Sequence, residues 1–169
     1  MDKKIKYFAF LLFMLSSLFV NAQAYLNNLN KQANEMVSAV KKRDYKTLLT
    51  FTHPKVVNAM GGNEKAAAGL KASMKALEDQ NINFTKMEVG SVTQSLVSGK
   101  TIQCIIPQLV EIQMGTKKAK AKNYLFGISY NGGKNWYFLD TAPLKGDVRK
   151  LIPEASKDLI IPKSETTYN

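Results

Sequence analysis

The sequence contains very few of the residue types that metal sites and disulfide frameworks need. Of its 169 residues, one is cysteine and one is histidine. A single cysteine excludes an internal disulfide and an all-cysteine metal cluster, and a single histidine excludes multi-histidine sites for zinc or non-haem iron. The chain also has no phosphate-binding loop, no dinucleotide fingerprint and no HExxH or GxSxG motif. We therefore expect no metal and no cofactor.

Arginine is scarce as well, although the chain is strongly basic. Arg43 and Arg149 are the only arginines among 24 basic residues, and the formal net charge is +11. Recognition of bases and phosphates favours the planar guanidinium, and the densest lysine run, residues 117–122, has no aromatic side chain for base stacking. We expect no nucleic-acid partner. The lysines either discourage edge-to-edge strand pairing or contact an anionic glycan or surface.

The first 22 residues have the pattern of a secretory signal peptide. Three lysines precede an apolar run over residues 7–20, and small residues allow cleavage after Ala22 or, alternatively, after Ala24. The run is about 14 residues long, whereas a membrane-spanning helix needs roughly 20. We predict an exported protein, periplasmic or secreted, without membrane association after cleavage.

Helical periodicity dominates the first half of the remaining chain. Residues 25–42 place their apolar side chains on one helical face. Asp44 is expected to cap a second, short helix, which His53-Pro54 interrupts. Asn63 is expected to cap a longer helix, with Glu64 in its first turn.

The apolar period changes to two in the second half. The even positions of residues 101–114 are apolar except for Gln108, which predicts a long strand with Cys104 and Ile106 facing the core, and Pro107 indicates a bulge or an edge. Tyr124 begins the alternation of a second long strand, and we expect even-numbered strand side chains to point inward. A turn and a last strand follow. We predict one α+β domain over residues 23–162 and a flexible tail over residues 163–169.

This order of elements resembles the nuclear transport factor 2-like superfamily. The matching segments are Arg43-Asp44-Tyr45, residues 53–57, residues 61–62 and Trp136-Tyr137-Phe138-Leu139, and they are similar to small exported Bacteroidetes-type proteins of unassigned activity. The resemblance implies N-terminal helices packed on a strongly curved antiparallel sheet, as in cystatin-like folds, with a pocket between them. Members include isomerases, dehydratases, ligand binders and dimerisation modules, so a homodimer is compatible with it.

Four residues are candidates for acid–base catalysis. His53 titrates near neutral pH, and the resemblance implies a histidine–aspartate pair in which Asp44 or Asp140 is the partner. Glu111 is a candidate general base if its face of the strand lines the concavity. Alternatively, His53 bonds a backbone carbonyl at a helix end, and Glu111 is an ordinary solvated carboxylate.

Tyr45, His53, Tyr124 and Trp136 are the candidates for a ligand pocket. Their rings suit a small apolar or amphipathic ligand, although the same spacing also fits a core. Cys104 lies on the apolar side of its strand, where burial favours an inert thiol over a nucleophile. We expect a non-enzymatic module that binds a small ligand or another protein, with a small lyase- or isomerase-like enzyme as the alternative.

Overall fold

The computed structural model describes residues 24–144 and 147–168, and the predicted signal peptide lies outside this part of the chain. Helices come first, and a strongly curled antiparallel sheet follows them and forms a half-barrel. The predicted α+β class is therefore confirmed. No helix in the described residues has the length and apolar character needed to cross a lipid bilayer.

Four α-helices lie within the described residues. They are α1 (24–42), α2 (Tyr45–Thr50), α3 (Pro54–Ala59) and α4 (Asn63–Asp79). The carboxylate of Asp44 caps α2 as predicted, because it accepts hydrogen bonds from the backbone N–H and the hydroxyl of Thr47 at 3.0 and 2.6 Å. At α4 the capping position belongs to Gly62, and Asn63 is already the first helical residue.

Two long central strands organise the sheet. The strands are β1 (Ile82–Val89), β2 (Gln94–Ser98), β3 (Thr101–Met114), β4 (Lys117–Ser129), β5 (Tyr137–Asp140) and β6 (Glu165–Tyr168). β3 and β4 pair along their whole length, β1 and β2 share the free edge of β3, and β5 and β6 share that of β4. The strand predicted over residues 101–114 is confirmed at both ends.

Pro107 lies in β3 at the gap between β1 and β2. β2 pairs with β3 as far as Ile105, and β1 pairs with it from Gln108 onward. The carbonyl oxygen of Pro107 accepts a hydrogen bond from the N–H of Gly90 at 2.8 Å, so this residue presents its backbone to the gap rather than to β4. Since proline has no N–H to donate, a break in the edge is where a strand tolerates it. Of the two predicted alternatives, a bulge or an edge, the structure shows a local edge at Pro107.

The main core lies between α1 and one face of the sheet. α1 contributes the side chains of Leu29, Ala33, Met36 and Val37, and β3 contributes Ile102, Cys104, Ile106 and Val110. The even-numbered side chains of β3 therefore face the helices as predicted.

In β4 the odd-numbered side chains, and not the predicted even-numbered ones, face the helices. The two-residue turn after β3 pairs even-numbered residues with odd-numbered ones, so Ile106 lies opposite Leu125 and Cys104 opposite Gly127. The odd-numbered side chains of β4 consequently face the helices, and the expectation for its even-numbered side chains is wrong. A second buried cluster covers the other face of the sheet: Ile105, Tyr124, Phe126, Ile128, Val148, Ile152, Ala155 and Leu159.

The C-terminal segment forms the far side of this second cluster. It contains a short 3₁₀ helix, Val148–Lys150, and the side chain of Leu159 is buried where the segment packs back on the sheet. The structure differs from the sequence interpretation beyond it, because Glu165–Tyr168 form β6 on the edge of β4. All four side chains of β6 are exposed, so backbone pairing holds this strand and the hydrophobic pattern does not reveal it.

Gly127 provides a test of the β3–β4 packing. A Cβ at this position would lie 2.7 Å from Sγ of Cys104, which is fully buried. We expect Gly127→Ala to lower the free energy of unfolding by about 1–3 kcal/mol, because a close-packed core resists an added methyl group. Urea denaturation measures this change.

Gly69→Ala is the matched control, since Gly69 is exposed in α4 and a Cβ there meets nothing within 4 Å. It should stabilise the protein by about 0.5–1 kcal/mol, because alanine favours the helix. Combining Gly127→Ala with Cys104→Ala should recover part of the loss. An unchanged stability in Gly127→Ala would contradict the packing described here.

Candidate functional site

His53 is buried at the start of α3 and caps that helix. Its Nδ1 accepts a hydrogen bond from the backbone N–H of Lys55 at 3.2 Å, and its Nε2 lies 2.8 Å from the hydroxyl oxygen of Tyr130. Because Nδ1 is an acceptor, the neutral ring carries its proton on Nε2 and donates it to that oxygen. His53 thus sits at a helix end, but it bonds a backbone N–H instead of the carbonyl that we expected.

The hydrogen bonds of His53 continue to a carboxylate. The hydroxyl of Tyr130 donates to Oε1 of Glu154 at 2.9 Å, and Nζ of Lys55 donates to Oε2 at 2.7 Å. The ring of Tyr137 packs edge-on against His53, with 5.7 Å between centroids. We call His53, Lys55, Tyr130 and Glu154 the His53 cluster; it joins α3, the end of β4 and the C-terminal segment.

The pKa shifts of His53, Tyr130 and Glu154 keep these three groups in their usual protonation states at neutral pH. Burial lowers the pKa of His53, and the Glu154 carboxylate opposes this only in part. The hydrogen bond from Lys55 lowers the pKa of Glu154 to about 2. Burial and the hydrogen bond to Glu154 raise the pKa of Tyr130. The cluster therefore combines a neutral imidazole, a neutral phenol and a carboxylate paired with an ammonium group.

This arrangement leaves His53 without a free basic nitrogen. The lone pair of Nδ1 accepts the Lys55 N–H at the first turn of α3, and the proton on Nε2 is already donated to Tyr130. A general base needs an available lone pair within reach of a substrate proton. The contacts that His53 makes are those of a residue that fastens α3 to the C-terminal segment.

The predicted carboxylate partners lie elsewhere. Asp44 is exposed and occupied with capping α2. Asp140, at the end of β5, is half-buried; it accepts a hydrogen bond from the N–H of Ala142 at 2.9 Å, and burial raises its pKa. Glu111 forms an ion pair with Lys120 at 3.4 Å, on the sheet face away from the helices. The structure does not bring these three carboxylates to the ring nitrogens of His53, which bond Lys55 and Tyr130.

The structure also separates the four predicted pocket residues. Tyr45 is half-buried at the first position of α2, whereas Tyr124 belongs to the second buried cluster. Trp136 lies in the main core on the other side of the sheet, where its Nε1–H donates to the carbonyl of Gly133 at 3.0 Å. Tyr124 and Trp136 are therefore parts of two different cores.

Cys104 is buried in the main core. Burial raises the pKa of its thiol to about 12, so the group stays neutral and unreactive at physiological pH. Among residues 24–144 and 147–168, no three histidine, cysteine, aspartate or glutamate side chains come together as a set able to hold a metal ion.

A cleft of about 250 Å³ opens between α1, α4 and β1. We call it the α1–α4–β1 cleft. Its apolar lining residues are Val40, Met74, Ile82, Phe84 and Met87, and its charged ones are Lys41, Arg43, Glu78 and Lys86. The volume lies just below the range of roughly 300–1,000 Å³ that is typical of small-molecule sites. The cleft can hold the apolar part of a small ligand beside charged groups.

A β-bulge in β1 turns both Phe84 and Met87 toward this cleft. Residues three apart on a regular strand point to opposite faces, but the register with β3 shifts between Phe84 and Lys86. Phe84 then lies opposite Ile112 and Met87 opposite Val110, both on the helix-facing side of β3. The three-residue spacing of Phe84 and Met87 was the sequence feature that indicated this bulge, and the sequence interpretation missed it.

Two further clefts adjoin β1. One, of about 450 Å³, lies between α1 and β1 and shares Lys41 and Met87 with the α1–α4–β1 cleft. The other, of about 260 Å³, lies on the sheet face away from the helices, where lysine and glutamate side chains surround the exposed Leu109. His53 lines none of the three.

Comparisons with protein-family models, with curated proteins and with solved structures found no match to this chain. The geometry of the clefts and of the His53 cluster is therefore the basis for proposing a function.

The lowered pKa of His53 predicts a stability loss in mild acid. The unfolded chain takes up the proton first, so the contribution of His53 is complete above its ordinary pKa of about 6.5 and declines as the pH falls below it. Glu154 adds a similar loss only below about pH 4.5. We expect the free energy of unfolding to fall between pH 7 and pH 5, as measured by urea denaturation.

His53→Asn is the informative variant, because an asparagine oxygen can still cap α3 but does not titrate. We expect this variant to lose the pH dependence between pH 7 and pH 5. The same slope in both proteins would assign the effect to another group.

Proposed function

We propose that the protein is exported and acts as a non-enzymatic module that binds a small apolar or amphipathic ligand in the α1–α4–β1 cleft. Export follows from the signal pattern of residues 1–22. We further propose a nuclear transport factor 2-like fold, which the segments around Arg43-Asp44-Tyr45 and Trp136 suggest. Helices followed by a curled antiparallel sheet are in keeping with it.

The position of Phe84 is the observation that carries the binding proposal. Its side chain is 38% exposed although it lies on the helix-facing side of the sheet, beside buried Met87. Met74 of α4 lines the cleft from the other side. A cleft that combines apolar and charged side chains can hold an amphipathic ligand, because apolar contact supplies affinity and polar groups orient the ligand.

The alternative of an acid–base enzyme has less support. The one carboxylate that lines the α1–α4–β1 cleft is Glu78, and it is ion-paired with Arg43. His53 lies outside the cleft, and both of its ring nitrogens are hydrogen-bonded. Among the described residues, neither an imidazole nor an unpaired carboxylate lines the α1–α4–β1 cleft.

Contact with an anionic glycan and homodimer formation stay predictions from the sequence. Lys118, Lys120 and Lys122 project from one side of β4, while Ala119 and Ala121 are buried on the other. Two of these lysines already have partners, however. Lys120 pairs with Glu111, and Nζ of Lys122 lies 5.9 Å from the ring centroid of Tyr124.

Binding of a neutral amphipathic molecule tests the proposal. We expect octan-1-ol to bind the protein and to raise its melting temperature, because ligands that bind only the folded state stabilise it. Phe84→Ala should weaken binding about tenfold, since removing one apolar contact surface of this size costs roughly 1.4 kcal/mol. Isothermal titration calorimetry measures both constants.

Val97→Ala is the matched control, because Val97 is 60% exposed in β2 and does not line the cleft. It should bind octan-1-ol as the unaltered chain does. Absence of binding to the unaltered chain, or equal weakening by both substitutions, would contradict the proposed site.

A further inference from the structure

We infer that the α1–α4–β1 cleft selects ligands that carry a carboxylate, and that Arg43 binds this carboxylate in the place now taken by Glu78. The inference rests on the proposed function, since it specifies the chemistry of the ligand at the same site. Four observations carry it: the backbone of Arg43, its ion pair, the charge of the rim and the size of the cleft.

Arg43 adopts a backbone conformation that side chains disfavour. Its φ is +57°, in the left-handed region, just after the last turn of α1. The N–H of Arg43 bonds the carbonyl of Val40 at 3.1 Å, and the N–H of Asp44 bonds that of Ala39 at 2.9 Å. Glycine is the usual residue at such a helix end. An arginine at this position has an unfavourable left-handed backbone, and its guanidinium lies at the rim of the cleft.

The ion pair with Glu78 shows that the guanidinium of Arg43 is placed to bind a carboxylate. Glu78 projects from α4 and forms an ion pair with Arg43, and both residues line the cleft. The pair is only partly buried, with 55% of the Arg43 side chain exposed, so water screens it and it contributes little to stability. An incoming carboxylate has the same charge and planar shape, and it can exchange with Glu78 without leaving a charge buried and unpaired.

The rim carries more positive than negative charge. Lys41 and Arg43 line the cleft against the carboxylate of Glu78, which is the one acidic side chain among its described lining residues. Lys86 also borders the cleft, but it lies opposite Glu111 and its Nζ pairs with Glu88 at 3.0 Å, so its charge is already matched on the other face of the sheet. A site of one predominant sign attracts ligands of the opposite sign and raises their local concentration. An anionic group is therefore favoured over a neutral or a cationic one.

The size of the cleft limits the rest of the ligand. About 250 Å³ is small compared with typical ligand sites, so the apolar part must be short. Phe84, Met74 and Met87 offer it an apolar surface, and the methionine side chains adapt easily to the shape of an alkyl chain. These features together specify a short- or medium-chain carboxylate. We expect octanoate to be a suitable probe.

The test compares octanoate with octan-1-ol by isothermal titration calorimetry at low ionic strength. The unaltered protein should bind octanoate at least tenfold more tightly than octan-1-ol. Arg43→Gly should abolish this preference, because it removes the guanidinium that the carboxylate would contact. Its free energy of unfolding should not fall, because glycine relieves the left-handed backbone and the ion pair that is lost is exposed.

Asn81→Gly is the matched control for the backbone effect. Within residues 24–144 and 147–168, Asn81 is the other non-glycine residue with a left-handed backbone, also at φ +57°, and it does not line the cleft. It should keep the preference for octanoate. Glu78→Gln should strengthen octanoate binding several-fold, because it removes the carboxylate that competes for Arg43.

The outcomes separate the two proposals. If neither octan-1-ol nor octanoate binds, the proposed function fails. If both bind equally well, or if Arg43→Gly keeps the preference for octanoate, binding stands and the carboxylate inference is overturned. Tighter binding of octyl phosphate than of octanoate would also overturn it, because the site would then be selecting a phosphate.

Discussion

The continuous antiparallel pairing of β3 with β4 is the constraint on which the rest of this structure depends. The register runs from Ile102 opposite Ser129 to Met114 opposite Lys117. Because side chains alternate along a strand, β3 and β4 each supply buried side chains to both faces of the sheet, and the register decides which ones meet the helices. The helices cover one face, and the C-terminal segment covers the other. Neither core can form without this pairing.

Two local departures from regular geometry produce the candidate site on this frame. The bulge in β1 turns Phe84 to the same side as Met87, and the left-handed backbone of Arg43 ends α1 beside them. Without the bulge, Phe84 and Met87 would point to opposite faces of the sheet and could not both line the cleft. With a glycine at the end of α1, the cleft would have no guanidinium. The His53 cluster has a different role: its bonds fasten α3 to the C-terminal segment through Tyr130 and Glu154.

Local signals predicted the elements well, but they did not predict which residues meet. The cap at Asp44, the strand over residues 101–114 and the irregular edge at Pro107 depend on neighbouring residues and are readable from the chain. The carboxylate that is linked to His53 through Tyr130 was not readable, because Glu154 follows a proline in a segment without a motif. Tyr45, Tyr124 and Trp136 were grouped by residue type, yet the sheet itself separates Tyr124 from Trp136.

By itself, the sequence determined the type and order of the elements, since periodicity, caps and turn residues act over a few positions. It also determined the excess of positive charge and the burial of the lone thiol. Only the tertiary structure decided which face of β4 meets the helices, which strand covers its edge and which carboxylate reaches Arg43. Those contacts join residues distant along the chain, and they follow from strand register and backbone irregularities that short-range patterns do not encode.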